Sequence, residues 1–205
     1  MHESLVFIKG FCSGIFYTFI PTCGVMIIGH FTGKKRTRSS VTAALGMVCA
    51  QLIWAVIAWI GFLLITSGLE PKTSTLTLIG AMILFLLAAK VYHRQEHLDL
   101  QHELKSRFWA SFGVGFMFSL SSPSRILGHF ALFAVLQVPP TPLLETSLAL
   151  FTGLFAGSFA FWLFFTAFMI SRKKTLSPKS LQQLHKFSAF VLAAFTALGL
   201  FKIYL

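Results

Sequence analysis

Inside stretches of sequence that otherwise carry almost no charge stand one arginine, Arg125, and four positions further on one histidine, His129. A guanidinium is a permanent cation whose fork of donors suits carboxylates and phosphates. An imidazole titrates near neutral pH and can carry a proton. On a helix the two share a face. Hydroxyls and prolines gather at two places: Thr18, Pro21, Thr22, Cys23 and Gly24 at one, and Ser119, Ser121, Ser122, Pro123 and Ser124 at the other. Gln51 is the strongest polar side chain of a further apolar run. This set suits the grip of an anionic group and the movement of a proton. No covalent chemistry is expected of it, and neither a cofactor nor a metal. The cysteines Cys12, Cys23 and Cys49 form no CxxC pattern and no disulfide framework.

The elements that position these residues follow from composition. Of 205 residues 56% are hydrophobic and 11% charged, whereas a soluble domain carries about 25% charged residues. A water-soluble enzyme is therefore excluded. Apolar runs fall at about 10–31, 41–65, 75–92, 108–136, 146–170 and 187–204, each long enough for a bilayer crossing of roughly 20 residues. The start Met1-His2-Glu3 lacks the basic n-region of a signal peptide, so the first run reads as a retained span. Thirteen of the 17 basic residues lie on alternate linkers: Lys34, Lys35, Arg36 and Arg38; Lys90, Arg94, Lys105 and Arg107; Arg172, Lys173, Lys174, Lys179 and Lys186. By the positive-inside rule these linkers are cytoplasmic, and both termini are expected outside. The net charge of +11 thus faces anionic headgroups of the lipid bilayer, and no nucleic-acid partner is expected.

Two further features of the linkers yield expectations. His93, His97 and His102 among Glu96, Asp99 and Glu103 read as a solvated, mildly amphipathic linker helix rather than a closed ligand set. Ser177-Pro178, with Leu181 and Leu184 at helical spacing, predicts a short interfacial helix.

The two halves mirror each other. Run one has Phe11, Gly14 and then Pro21; run four has Phe112, Gly115 and then Pro123. Run two carries Gly46 and Ala50, and run five carries Gly153 and Gly157 at the same spacing. Runs three and six close on Lys90-Val91-Tyr92 and Lys202-Ile203-Tyr204. A three-span unit repeated once must enter from the opposite side, the pattern of many secondary transporters. The fold expected is all-α: one transmembrane domain over 1–205, with an inverted three-helix repeat in 1–97 and another in 108–205. Helices 1 and 4 are expected to break at Pro21 and Pro123. A broken backbone in hydrocarbon is tolerated only when buried in protein or lining a wet cavity. The two polar clusters therefore mark a candidate site, or else kinks whose Ser and Thr satisfy their own backbone. Arg125 could meet helix carbonyls, water or a substrate carboxylate, or snorkel to an interface. His129 could carry a coupling proton or pack through hydrogen bonds. Gln51 could line a cavity or bond a neighbouring helix. Trp54, Trp59 and Trp162 are open between interfacial belt and cavity.

The pattern resembles the lysine exporter family, the LysE/RhtB-type translocators. The residues that carry the likeness are Gly10 and Gly14, Ile20-Pro21-Thr22-Cys23-Gly24, Gly33-Lys34-Lys35-Arg36, Ala44-Leu45-Gly46, and Phe112-Gly113-Val114-Gly115-Phe116 with Ser122-Pro123 and Phe130. Pro-Thr-Cys-Gly stands where the family has Pro-Gly-Pro, and Ser-Pro where it has Asn-Pro. The resemblance implies export of amino acids or related small metabolites across the bacterial inner membrane, driven by the proton gradient. The substrate site expected from the two proline breaks and the polar residues within apolar runs comprises Thr18, Pro21, Thr22, Gly24, Gln51, Ser121, Ser122, Pro123 and Arg125, with His129 as the proton-coupling candidate; a homodimer is compatible with six spans. Competing classes are an ion or metal transporter of the same superfamily and a non-transporting membrane assembly subunit. A membrane thiol carrier would need a second-half cysteine to pair with Cys23, and there is none.

Overall fold

In hydrocarbon each backbone N–H and C=O must find its partner within its own segment, so long apolar runs become helices. The computed structural model describes residues 2–18, 23–34, 36–69, 73–92, 108–123, 125–140, 144–172 and 178–204. These form α1 (His2–Thr18), α2 (Cys23–Gly33), α3 (Thr37–Leu69), α4 (Thr73–Tyr92), α5 (Phe108–Leu120), α6 (Arg125–Val135), α7 (Leu144–Arg172) and α8 (Pro178–Tyr204). Pro21, Thr22 and the histidines His93, His97 and His102 lie outside the described residues.

Among the described residues three helices are long and apolar enough to cross a membrane, Thr37–Gly68, Ser74–Tyr92 and Leu144–Ser171. Gly24–Gly33, Phe108–Leu120 and Arg125–Val135 are shorter apolar helices. Large apolar side chains such as Leu64, Met82, Phe85, Phe164 and Phe190 point away from the protein, as a lipid-covered surface requires. The short interfacial helix expected after Ser177 is not a separate element. Pro178 opens α8, which continues unbroken to Tyr204. Proline suits a helix's first turn, and neither Gly nor Pro follows until Gly199 to stop the helix.

Two helix pairs pack at backbone distance. α1 runs along α7, and a Cβ on Gly10 or Gly14 would collide with the carbonyl oxygens of Leu150 and Leu154. From the other side, Gly153 and Gly157 admit the carbonyls of Phe7 and Phe11. Residue numbers rise together along both helices, so the pair is parallel. α3 and α5 repeat the device: Gly46 admits the Phe112 carbonyl and Gly115 that of Ala43. Small residues let membrane helices approach until dispersion and Cα–H···O contacts hold them. The contacts are alike: Gly46 meets the Phe112 carbonyl and the Phe116 amide as Gly153 meets the Phe7 carbonyl and the Phe11 amide, which makes Phe7, not Phe11, the counterpart of Phe112. Spacing within a helix fixes which residues share a stripe but not the turn at which a partner meets it.

Both pairs join a helix from the first half of the chain to one from the second. α4 and α8 form a third cross-half pair, and α4 and α3 also pack on α6. A buried apolar cluster of Phe62, Trp59, Phe133, Leu150 and Leu154 fills the space between α3, α6 and α7.

Candidate functional site

The candidate site lies where α5 gives way to α6. The Ser121 amide still reaches the Met117 carbonyl at 2.9 Å, and then Ser122 and Pro123 lie outside helix. Pro123 has no N–H, so it cannot serve the carbonyl four residues back, that of Ser119. That carbonyl instead accepts a hydrogen bond from Trp54 Nε1 on α3 at 3.2 Å. Ser119 Oγ in turn donates to the Met47 carbonyl at 3.1 Å. Helix resumes as the Arg125 amide reaches the Ser122 carbonyl and that of Ile126 reaches Pro123, both at 3.1 Å.

Arg125, the first residue of α6, is 7% exposed. Its Nε has no hydrogen-bond partner among the described residues. The two described carboxylates, Glu3 and Glu145, are exposed in the first turns of α1 and α7. What the guanidinium does meet is the ring of Tyr17, 5.8 Å from Cζ to centroid. A helix start carries a partial positive charge of its own, so this point combines two sources of positive potential and favours an anion.

His129 lies one turn along α6 and is fully buried. Its ring stacks on the same Tyr17 ring at 3.9 Å between centroids and leans on Phe133 at 6.1 Å. Neither ring nitrogen has a partner among the described residues. Tyr17 is therefore the hub of an α1–α6 cluster, with Arg125 and His129 both against its ring. Gly128 makes room for it, since a Cβ there would lie 2.6 Å from Tyr17 Cε2. Further along the same seam, Lys9 Nζ donates to the Gln137 carbonyl at 2.7 Å. Gln137 has φ 51° and follows the end of α6, where the amides of Gln137 and Val138 bond back to Ala134 and Phe133. That is a Schellman ending, with Lys9 supplying a cation to the helix C-terminus.

The other expected site residues are distributed differently. Thr18 is buried and donates to its own helix at the Gly14 carbonyl, 2.7 Å away. Gln51 is buried and bonds a neighbouring helix: Nε2 donates to Ser158 Oγ at 2.9 Å, and Ser158 donates to the Gly14 carbonyl at 3.2 Å. Gly24, in the first turn of α2, lies against the side chains of Met47 and Trp162, which a Cβ there would displace. Ser121 is exposed and donates to Phe118, Ser122 is half-buried, and Pro123 is exposed. The structure thus brings Arg125 and His129 together, with Thr18 beside their partner Tyr17 in sequence. It places Gln51 in a separate network with Ser158.

Two participants escaped the sequence. Tyr17 reads there as one more aromatic in an apolar run; its place just before Thr18 and the proline was the available signal. Trp54 was open between belt and cavity and proves to satisfy the carbonyl opposite Pro123. Trp54 is half-buried, whereas Trp59 and Trp162 are buried, Trp59 donating to Ser147 Oγ at 3.2 Å. Among the described residues no three of His, Cys, Asp and Glu gather as a metal site would require. No curated protein and no solved structure matches the chain. The family model of the LysE type translocators matches residues 15–204, and the protein belongs to that family of multi-pass membrane transporters of amino acids or related compounds.

Proposed function

We propose that the protein is a secondary transporter that exports amino acids or related small metabolites across the bacterial inner membrane, in exchange for protons, by alternating access. Its six spans form two inverted repeats, with α1 and α2 making one broken span and α5 and α6 the other. Both termini lie outside. The matched glycine contacts of α1 with α7 and of α3 with α5 support the repeat. In the site, Arg125 takes the substrate's anionic group, and the backbone and hydroxyls around Thr18, Pro21, Thr22, Gly24, Ser121, Ser122 and Pro123 complete the pocket. Gln51 braces it from α3.

The observation that carries this reading is the buried Arg125 at the start of α6. A centrally placed arginine costs roughly 2.5–3.5 kcal/mol on insertion scales. A cation–π contact at this distance returns about 0.5–2 kcal/mol, and no described carboxylate lies beside it to complete the compensation. A carboxylate entering the pocket supplies what is missing. Because each close-packed pair draws one helix from each half, the moving bodies are not the two halves of the sequence. Helix pairs move against one another, and the sparsely bonded α1–α6 seam is where they part. His129 is proposed as the proton-coupling group, wetted when that seam opens.

The test compares, by mass spectrometry of the culture medium, cells holding the intact protein with cells holding Arg125→Ala at equal membrane abundance. Selective accumulation of an amino acid or related metabolite with the intact protein alone is expected. Equal accumulation with both would overturn Arg125 as the anion site. No accumulation with either, after amino acid loading, would favour an ion transporter or a non-transporting subunit.

A further inference from the structure

The neutral face of a tyrosine ring is the one described partner that the buried guanidinium has, and the same ring is stacked against the histidine of the next turn. Tyr17 comes from α1, whereas Arg125 and His129 come from α6. A long side chain at the start of a half-helix would otherwise sample several rotamers, because its Nε has no hydrogen bond to fix it. Tyr17 itself has little freedom. It is 6% exposed, and on the α6 side Gly128 fits its ring edge so closely that a methyl group would displace it.

We propose that Tyr17 is a positioning residue for the transported anion, its ring face holding the Arg125 guanidinium in the orientation that receives a carboxylate. The inference rests on the reading of Arg125 as the anion site. The ring's negative face attracts the cation when no anion is bound, without the full charge that would compete with substrate. An aspartate or glutamate in the same place would neutralise the arginine and lower its attraction for a carboxylate. A plain aliphatic residue would leave the guanidinium to the rotamers that solvent and backbone carbonyls offer. The tyrosine lies between these limits. Because it arrives on α1, its platform exists only while the α1–α6 seam is closed. Affinity for the anion is thereby tied to that arrangement of the helices.

The role separates from simple packing by chemistry. Tyr17→Phe keeps the ring face; Tyr17→Leu removes it and keeps an apolar filler. Gly128→Ala leaves every polar group in place and pushes the ring aside from α6. The measurement is the thermal unfolding of the full-length protein in lipid nanodiscs, titrated with each of the twenty common L-amino acids. An amino acid that stabilises the protein is then compared with its carboxamide, which lacks the anion. The concentration for half-maximal stabilisation is expected to stay within about twofold of the intact protein in Tyr17→Phe and to rise about tenfold in Tyr17→Leu and Gly128→Ala, the loss of one cation–π contact. Export at saturating substrate should fall far less than this. The carboxamide should show no dependence on residue 17.

Unchanged half-saturation in both Tyr17→Leu and Gly128→Ala, with Arg125→Ala no longer responding, would overturn the role of Tyr17 and leave that of Arg125 intact. An equal rise in Tyr17→Phe would also overturn it, by assigning the effect to the hydroxyl. A full response in Arg125→Ala, or none by the intact protein to any of the twenty, would overturn the underlying reading. If Tyr17→Leu does not fold, Gly128→Ala and Tyr17→Phe decide between the same outcomes.

Discussion

The seam between α1 and α7 and the seam between α1 and α6 share a helix and are built on opposite terms. Against α7, α1 presents Gly10 and Gly14 to the carbonyls of Leu150 and Leu154, with the Ser158 amide and hydroxyl also close to Gly14. Its polar groups there are matched, with Gln51, Ser158 and the Gly14 carbonyl forming one chain of hydrogen bonds. Against α6, the same helix offers a tyrosine ring, while an arginine Nε and both nitrogens of a histidine have no partner among the described residues. Close-packed interiors resist change of shape, whereas buried polar groups without partners hold free energy that a ligand or water can recover. One face of α1 is therefore closely fitted and matched, and the other leaves buried polar groups that no described residue answers.

Breaking the close seam should have the largest effect. Gly115→Val puts a branched side chain on the Ala43 carbonyl between α3 and α5. Overpacking of this kind costs about 1–3 kcal/mol and more where backbone must move. The expected outcome is a marked loss of folded protein from the membrane, read by size-exclusion and thermal unfolding in detergent. Normal abundance and stability would show that this contact yields easily.

Polar changes on the two seams should then differ in sign. Ser158→Ala removes the middle of a satisfied chain, leaving Gln51 Nε2 and the Gly14 carbonyl without it. A loss of stability of about 1–2 kcal/mol is expected, with little effect on export at saturating substrate. His129→Leu removes a buried ring whose nitrogens have no described partners. Stability should hold or rise by about 1 kcal/mol, while export loses its dependence on an imposed proton gradient in vesicles. Destabilisation with coupling intact would instead make His129 a packing residue. The smallest effect belongs to Lys9→Met, which removes the cation from the C-terminus of α6. A cost of about 0.3–1 kcal/mol is expected from such an end charge, visible as a small drop in melting temperature. A drop as large as that of Gly115→Val would make the Lys9 end of this seam structural too.

Several residues of the candidate site were legible before any fold was known, for an energetic reason. An arginine and a histidine within apolar runs are expensive in a bilayer, so their presence alone marks them. A proline in the middle of such a run withholds one backbone bond; Pro123 stands between the end of α5 and the start of α6, while Pro21 is outside the described residues. Gln51 was visible as a polar residue, but its partner Ser158 lies 107 positions away and no local pattern connects them. Tyr17 and Trp54 were hidden because an aromatic in a membrane helix is ordinary; each matters through one atom or face that meets another helix.

The sequence by itself determined that the chain is a bundle of membrane helices, because hydrocarbon enforces local hydrogen bonding wherever twenty apolar residues follow one another. It also determined which polar groups would need an explanation there. The tertiary structure alone decided who answers them: that Trp54 meets the carbonyl Pro123 leaves free, that Ser158 receives Gln51, and that Arg125 and His129 rest on Tyr17. The reason is that helix period fixes a stripe, whereas the partner of that stripe, and the turn at which they meet, depend on how small residues let whole helices slide together.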